Sequence, residues 1–359
     1  MKIKLREDAK YALIVPSSMG VRITPVNGQP VYNSNMFMMH ATSAETNVAT
    51  IASSLGLPAK VLTTFVKDSG IADFIKRDLR ARNIDYEGVE REQGDPWGFR
   101  HQFNVADSGY GARGPRVLND RAGEVGRELS IDDFDLDRIF GDEGAQILHM
   151  SGLIAALSPQ TSKFCLALAE KAKQYGTVVS FDLNYRESFW KGRKEELAAA
   201  FDKIASVADV LIGNEEDYQL CLGVKGPEAG GKDLAAQINS FKGMINNVKA
   251  KYPNIKFFGT TLRQVISVNE HLWGSIILNG DEWNVIEPSE IHVLDRIGGG
   301  DGFVGGLLYS ILKGFETEKC NRFAWATGAM ATTFLTDYAT VADEEQVWSI
   351  AKGNARVKR

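Results

Sequence analysis

The chain has 359 residues, 44% of them hydrophobic, which is enough apolar sequence to bury the core of one large α/β domain or of two ordinary ones. The formal net charge is −5 and the lysines and arginines are dispersed, so we expect no nucleic acid and no membrane among its partners. Residues 1–10 are charged and only a short apolar stretch follows them, a pattern that predicts neither a secretory signal nor a membrane span and favours a cytoplasmic location.

Short apolar runs alternate with segments of helical period through most of the sequence. Strands are predicted at residues 12–15, 145–150, 177–181, 209–213 and 255–260, and helices at residues 159–175, 191–206 and 235–251. This repeated order of strand, helix and strand predicts an α/β fold with a mostly parallel sheet and helices on both faces. Ligands of such folds bind at the C-terminal ends of the strands, so polar residues that follow strands are candidate site residues.

Two regions interrupt this order, residues 19–40 and residues 94–121. They contain alternating polar and apolar residues together with turn-forming residues such as Ser108 and Gly109. We expect the two regions to form a small antiparallel flap. The alternative is that both are long surface loops.

A polar cluster follows the predicted strand at 177–181. Asp182, Asn184 and Arg186 stand at alternate positions, and alternate side chains of an extended chain point to the same side. Such a face suits sugar hydroxyls together with a carboxylate or phosphate, which the planar guanidinium can grip. The alternative is an ordinary turn or helix cap.

A second cluster follows the predicted strand at 209–213. Asn214 is succeeded by Glu215, Glu216 and Asp217, and an amide with several carboxylates at a strand end can order water around a Mg²⁺ ion that bridges nucleotide phosphates. The same residues fit an N-capped helix with acids in its first turn, and the two interpretations are compatible.

The strongest candidates for a catalytic site are Gly298, Gly299, Gly300 and Asp301, which precede an apolar run of helical length. Glycines allow successive backbone N–H groups to converge, and the helix N-terminus adds its dipole, so a phosphate could bind there. Asp301 could then take the proton of a hydroxyl that attacks a phosphoryl group. The pattern favours phosphoryl transfer to an alcohol; the alternative is a tight turn with Asp301 as the helix N-cap.

Cysteine and histidine provide no zinc signature. Cys165, Cys221 and Cys320 are widely separated in apolar surroundings, so we predict three buried free thiols. None of the five histidines pairs with another at i, i+4 or lies near a cysteine. Any metal should therefore be a hard ion held by carboxylates, phosphates and water.

Residues 295–312, DRIGGGDGFVGGLLYSIL, resemble the C-terminal signature of the ribokinase-like (PfkB) sugar kinases, and the DRIGGGD form is most similar to the 2-keto-3-deoxygluconate kinases. The resemblance implies a ribokinase-like three-layer fold. It also implies that Asp301 is the catalytic base and that Gly298, Gly299 and Gly300 form an anion hole for the γ-phosphate of ATP.

The same resemblance implies a domain organisation. A single kinase domain would span residues 1–359, and the flap, from about residues 19–40 and 94–121, would be a β-lid that covers the sugar. Lids of this family often pair with the lid of a second subunit, which implies a homo-oligomer, a dimer or larger.

Two further stretches match this branch on the sugar side. Residues 182–190 resemble D-x-N-x-R-x-x-L-W, which implies that Arg186 lies in the active site. Residues 111–122 resemble G-x-R-P-S-K-V-x-Y-D-R-A, and Arg113 and Arg121 within them could favour an acidic sugar. The alternative for these two arginines is plain exposure to solvent.

Two stretches match on the nucleotide side. Residues 214–217 resemble the N-x-x-E motif and imply Mg²⁺ held through water, although Asp217 is one methylene shorter than the glutamate of the family. Residues 260–263 resemble a T-L-R element that precedes the nucleotide loop, which implies that Thr261 and Arg263 contact ATP.

The chain departs from the family at two glycine positions. Thr42 and Ser43 replace the pair that begins G-G-A-x-x-N-V-A, and their side chains should intrude on the sugar or restrict the hinge of the lid. Asn47 still matches this motif. Ser17 and Ser18 stand where relatives carry Gly-Glu.

The sequence therefore predicts a kinase that transfers the γ-phosphate of ATP to a primary hydroxyl of 2-keto-3-deoxygluconate, with Mg²⁺; whether a monovalent cation is needed stays open. The candidate residues are Asp301, Gly298, Gly299 and Gly300 for catalysis, Asn47, Arg113, Arg121, Asp182, Asn184 and Arg186 for the sugar, Asn214, Thr261, Arg263, Gly298 and Gly300 for ATP, and Asn214, Glu215 and Asp217 for the metal.

Three alternatives remain. The first is the same reaction on fructose, ribose or a deoxy-keto-inositol acid. The second is a sugar- or nucleotide-binding sensor with weak catalysis. The third, a nucleotide-binding oxidoreductase, is disfavoured because VPSSMG stands after the first strand instead of G-x-G-x-x-G.

Overall fold

A computed structural model of the protein describes residues 3–95, 97–228, 230 and 233–353. The strands are β1 Tyr11–Pro16, β2 Gly20–Pro25, β3 Phe37–Thr42, β4 Ala59–Val66, β5 Ile84–Arg91, β6 Gln102–Asp107, β7 Arg116–Asp120, β8 Ala145–Ser151, β9 Val178–Asp182, β10 Val210–Ile212, β11 Phe257–Val265, β12 Glu270–Asn279 and β13 Glu282–His292. The α-helices are α1 Ala44–Ser54, α2 Gly70–Ala81, α3 Gly152–Ala156, α4 Pro159–Gln174, α5 Glu187–Trp190, α6 Lys194–Ala205, α7 Glu215–Leu222, α8 Leu234–Lys251, α9 Gly299–Leu312, α10 Thr317–Ala331 and α11 Glu344–Ala351.

The main sheet has nine strands in the order β13-β12-β11-β10-β9-β8-β1-β4-β5. From β11 to β5 every neighbouring pair is parallel, whereas β12 and β13 add antiparallel at one edge. Strands in the middle of a parallel sheet are buried on both faces, and every residue of β1 and β4 is buried. The predicted α/β fold with a mostly parallel sheet is confirmed.

Helices cover both faces of this sheet and make three layers. On one face α4 and α6 contribute Phe164 and Phe201 to the core, and on the other α9 and α10 contribute Leu307 and Phe323. The three cysteines are buried free thiols, as predicted. Within the described ranges, no helix combines the length and apolar character that crossing a bilayer requires.

The differences from the predicted elements have local causes. The helix predicted from residue 191 begins at Lys194, because Gly192 has a φ of 76° that a helix cannot continue through. Among the strands of the main sheet, the sequence analysis did not predict β4, β5, β12 and β13. Of these, β5 and β13 are the edge strands, and their many exposed side chains weaken the apolar pattern that marks the interior strands.

The predicted flap is a separate four-stranded sheet in the order β3-β2-β6-β7, here called the lid; Pro96 of the predicted flap lies outside the described residues. The pairs β2-β3 and β6-β7 are antiparallel, as expected, but β2 and β6 run parallel. The antiparallel pairs are hairpin-like units from distant parts of the chain, so no short connection dictates how the two units meet.

The register of the lid separates its two faces. His40, Arg22, Asn104 and Asn119 are direct neighbours across the four strands and form a polar row. Met39, Ile23, Val105 and Leu118, one residue away on each strand, form an apolar row on the other face. These sets are called the polar row and the apolar row below.

Candidate active site

The C-terminal ends of four neighbouring parallel strands bring polar residues to one edge of the sheet. Ser17 follows β1, Ser151 ends β8, Asp182 ends β9, and Asn214 stands two residues after β10. These strands are adjacent in the order β10-β9-β8-β1, so the sequence-predicted clusters after β9 and β10 lie side by side. This is the edge at which α/β sheets bind ligands.

The glycine segment forms the entrance to α9. Gly298 is the N-cap residue with φ 89°, and a Cβ there would come within 2.0 Å of the carbonyl oxygen of Asp337, so only glycine fits. A Cβ on Gly300 would meet no protein atom within 4 Å. The backbone N–H groups of the first helical turn have no intrahelical acceptor, and at Gly300 they adjoin open space. The segment is called the glycine cradle.

Asp301 lies in the first turn of α9, so the alternative of Asp301 as the N-cap is wrong, because Gly298 takes that position. Its Oδ2 accepts a hydrogen bond of 2.9 Å from Nδ2 of Asn47 on α1. The two helices pack closely, since a Cβ on Gly305 would come within 2.7 Å of the carbonyl oxygen of Val48. This packing places Asn47 opposite the carboxyl group.

The environment of Asp301 raises the pKa of its carboxyl group to about 7. Burial is the main cause, and the hydrogen bond from Asn47 opposes it, while the negative charge of Asp337 raises the pKa further. A carboxyl group that titrates near neutral pH is suited to accept and release a proton.

Asp182 and Asn184 lie at the end of β9 as predicted. Burial raises the pKa of Asp182 well above its usual value, with further contributions from the charges of Asp217 and Asp301. Asn184 has a left-handed φ of 38°, and its Nδ2 lies 3.4 Å from Oδ2 of Asp182. Among the described residues, the buried amide oxygens of Asn47 and Asn184 have no hydrogen-bond donor. Hydroxyl groups of a sugar could donate to both.

Asn214 and Asp217 form a capping box at the start of α7, so the predicted N-capped helix is confirmed. Asp217 accepts two backbone hydrogen bonds of 2.8 Å, one from Asn214 and one from Tyr185, and burial raises its pKa to about 6. Glu215 accepts a bond of 3.0 Å from the backbone N–H of Gly230. These oxygens hold the backbone at the start of α7 and at Gly230.

Thr261 and Arg263 lie on β11, on the face covered by α9. Gly259, two residues before Thr261, faces α9, because a Cβ on this glycine would lie 2.8 Å from the side chain of Leu307. Arg263 pairs across the strands with Trp273, whose ring lies within 3.8 Å of the Cβ position of Gly299. The structure therefore brings this part of β11 beside the glycine cradle.

A buried ion-pair network, which the sequence analysis did not predict, joins the lid to the glycine cradle. Arg22 of the polar row is fully buried and pairs with Asp295, three residues before Gly298, and with Asp337. The neighbouring side chain of His40, the positive charge of Arg22 and the hydroxyl of Thr42 lower the pKa of Asp337 to about 2 despite burial. Thr42 also donates to Asp337, at 2.7 Å.

We expect Arg22→Met to lower the free energy of unfolding by about 3–5 kcal/mol, because it leaves Asp295 and Asp337 buried without a cation. Urea denaturation of the purified protein measures this change. Arg322→Met is the matched control, since Arg322 pairs with Glu318 on the surface and should contribute less than about 1 kcal/mol. Equal effects of the two variants would contradict the role assigned to burial.

The remaining arginines differ in position. Arg113 pairs with Asp107 and donates to the carbonyl oxygen of Gly28, so its guanidinium is held within the lid and is not brought to Asp301. Arg186 is exposed after β9, and it lowers the pKa of Asp301 through its charge. Arg121 binds a carboxylate of the protein itself, which is described below.

The serines that replace Gly-Glu are hydrogen-bonded. Ser17 donates to Glu45, which also accepts a bond from Ser151, and Ser18 donates to Glu124 at 2.6 Å. Burial raises the pKa of Glu45, and the serine hydroxyls oppose that shift. The sequence pattern gave no signal for these contacts, because their partners are remote in the chain.

Comparisons with known proteins agree with this geometry. A sequence model described as pfkB family carbohydrate kinase matches residues 27–339. A 5-dehydro-2-deoxygluconokinase of Clostridium perfringens is 24% identical over 332 residues, which cover 91% of this chain and 89% of the relative. A 2-dehydro-3-deoxygalactonokinase of Haloferax volcanii is 26% identical over 339 residues, covering 94% and 96%. The crystal structure of a 2-dehydro-3-deoxygluconokinase from Thermotoga maritima is 27% identical, with a TM-score of 0.86 over 96% of this chain and 100% of that one.

Proposed function

The chain belongs to the pfkB family of carbohydrate kinases, and on that premise we propose that it transfers the γ-phosphate of ATP to a primary hydroxyl of 2-keto-3-deoxygluconate. The main support for the proposal is the position of Asp301 in the first helical turn, directly after the glycine cradle. The carboxylate of Asp301 is hydrogen-bonded by Asn47. The three relatives reported above are named as kinases of dehydro-deoxy sugar acids, which supports an acidic keto sugar as the acceptor.

Asp301 takes the proton of the acceptor hydroxyl as its oxygen attacks the γ-phosphorus, and the bond from that phosphorus to the bridging oxygen of ADP breaks. Backbone N–H groups of Gly299 and Gly300 hold the negative charge of the transferred group. Asn47 orients the carboxylate of Asp301 through its hydrogen bond. Asp182 and Asn184 bind sugar hydroxyls, and Thr261 and Arg263 contact the nucleotide.

The acidic cluster fits a divalent cation. Besides burial, the negative charges of Asp217 and Asp301 raise the pKa of Asp182, so a nearby positive charge would be stabilised. Bound with the phosphates, Mg²⁺ would supply that charge and polarise the γ-phosphoryl group. Glu215, Asn214 and Asp217 would hold it through water, because their side-chain oxygens already bind backbone N–H groups.

The test of the proposal is ADP release by the purified protein with Mg-ATP and one sugar at a time. The panel contains 2-keto-3-deoxygluconate, gluconate, fructose, ribose and a control without sugar. Turnover on the keto-deoxy acid supports the substrate, and turnover on a neutral sugar alone keeps the kinase and replaces the substrate. Sugar or nucleotide binding without any product would favour the sensor.

We expect kcat/KM to fall about tenfold per pH unit below about pH 7, because Asp301 must be ionised to accept a proton and its pKa is raised to about 7. Asn47→Ala removes the hydrogen bond that lowers this pKa, so the break in the pH profile should move to higher pH. Nucleotide binding, measured by calorimetry over the same pH range, separates titration of the phosphates from that of Asp301. An unmoved break in Asn47→Ala would contradict the assignment.

We also propose that the lid forms a homo-oligomer. The apolar row ends in Met39 and Leu118, both exposed, and Phe37, which shares the face of Met39, is exposed as well. An apolar sheet face open to water is unusual for a protein that stays monomeric. Sedimentation velocity of the purified chain tests this, and a monomer at every concentration would oppose it.

A further inference from the structure

The guanidinium of Arg121 is already paired with a carboxylate of the chain. Its Nη1 donates to both oxygens of Glu124, at 2.8 and 3.0 Å. The side chain of Glu124 is fully buried and that of Arg121 is mostly so. An ion pair held this far from water keeps its geometry, because separating the partners would leave a buried charge uncompensated.

Glu124 is fixed in place by a second contact. Its Oε1 also accepts the hydrogen bond from the hydroxyl of Ser18, two residues after the end of β1. Ser18 in turn packs on Gly126, where a Cβ would come within 1.9 Å of the serine oxygen. Glycine at this position therefore lets Ser18 reach the carboxylate, and the carboxylate cannot swing away from Arg121 without losing both partners.

The Arg121–Glu124 pair lies next to residues of the candidate site. Ser18 belongs to the edge where the strand ends converge, and the guanidinium of Arg121 lies 5.2 Å from the ring centroid of Phe189, in the segment that follows β9. The charge of Arg121 also acts on Glu45, which binds Ser17. The charges of Arg121 and Glu124 therefore cancel beside this edge.

Arg186 differs from Arg121 in the groups that surround its guanidinium. It is exposed, it donates to the carbonyl oxygen of Tyr185 at 2.7 Å, and no carboxylate lies within ion-pairing distance of it in the part of the chain that the structure describes. Its positive charge acts to lower the pKa values of Asp182, Asp217 and Asp301. Unlike Arg121, Arg186 is therefore free to attract a carboxylate of a ligand.

We propose that Glu124 is a specificity-determining residue: by occupying Arg121 it weakens the binding of a carboxylate-bearing sugar relative to a neutral sugar of the same shape. The inference rests on the proposed function for the identity of the ligand class. The carboxylate of Glu124 competes with the carboxylate of a ligand for Arg121 and so sets the preference between acid and neutral sugars. Neutralising Glu124 shifts this preference toward the acid.

The test compares two ligands that differ at one carbon. 2-keto-3-deoxygluconate carries a carboxylate where 3-deoxyfructose carries a CH₂OH group. Calorimetry gives the Kd of each ligand, and ADP release gives kcat/KM. In Glu124→Gln the ratio of the two Kd values is expected to move toward the acid by about tenfold or more, because one buried guanidinium becomes available to a carboxylate. Glu128→Gln, four residues on, is the control and should leave the ratio unchanged.

Each outcome decides the proposal. A Kd ratio in Glu124→Gln equal to that of the wild type overturns it, and so does a failure of both ligands to bind any of the proteins. Should Glu124→Gln not fold, Glu124→Asp keeps the charge but shortens its reach, and the ratio should still move toward the acid by about threefold; no movement overturns the proposal. Binding that shifts without any phosphorylation supports the role of Glu124 while refuting the proposed function.

Discussion

Asp301→Asn is expected to lower kcat by about two to four orders of magnitude, with little change in the Kd for ATP. The amide cannot accept the proton of the attacking hydroxyl, but it keeps the size of the carboxyl group. Steady-state kinetics with Mg-ATP and the best sugar of the panel measure kcat, and calorimetry measures nucleotide binding. Near-normal turnover would refute the assignment of Asp301 as the base.

The same variant has a diagnostic effect on stability. Because burial raises the pKa of Asp301, its ionised form is disfavoured in the folded protein above pH 7. A neutral amide removes that cost, so the melting temperature above pH 7 should stay the same or rise. Asp281→Asn is the control for kcat, since Asp281 is an exposed residue between β12 and β13 and should change neither quantity appreciably.

Gly300→Ala is expected to lower kcat/KM by about two to three orders of magnitude without destabilising the fold. The new methyl group would meet no protein atom within 4 Å, so the space that it fills is space that a phosphate would need. Alanine is also the better helix former, which should leave the free energy of unfolding unchanged or raise it by up to about 1 kcal/mol.

Gly243→Ala is the matched control for this experiment. Gly243 lies within α8, and its added methyl group would likewise meet no atom within 4 Å, so it should gain stability and keep full activity. Gly298→Ala provides the opposite case, since its φ of 89° and the nearby carbonyl oxygen of Asp337 should make it lose both stability and activity. Full activity in Gly300→Ala would show that the phosphate does not bind at this glycine.

Local patterns were sufficient to predict much of the interior of the fold, although the fully buried strand β4 was not predicted. Buried parallel strands such as β1 and β8 are continuous apolar runs, and the helices between them repeat with a clear period. The edge strands β5 and β13 were not predicted, because half-exposed strands alternate charged and apolar residues in a way that also fits loops. Their identification required knowledge of their neighbours in the sheet.

The candidate site also contains residues that the sequence predicts and residues that it does not. The glycine cradle, Asp182 and Asn214 were predictable, because each stands directly after a strand or before a helix. Arg22 was not, since its partners Asp295 and Asp337 are 273 and 315 residues away in the chain. No local pattern distinguishes an arginine of an alternating strand that will be buried from one that will face water.

Thr42 shows how such distant contacts change an interpretation. From the sequence, a threonine in place of glycine should intrude on the sugar or stiffen the hinge. In the structure its hydroxyl donates to Asp337, and its Oγ1 lies 3.5 Å from the amide nitrogen of Asn47. The replacement is thus accommodated by a carboxylate that only the folded chain brings within reach.

The two rows of the lid limit how this gene can change in length. Because adjacent residues of β2 and β3 point to opposite faces, the gain or loss of one codon within either strand would move Arg22 or His40 to the outer face and turn an apolar side chain toward Asp295 and Asp337. Insertions and deletions should therefore be tolerated in the exposed connection between these strands, around Tyr32, and be eliminated by selection within them.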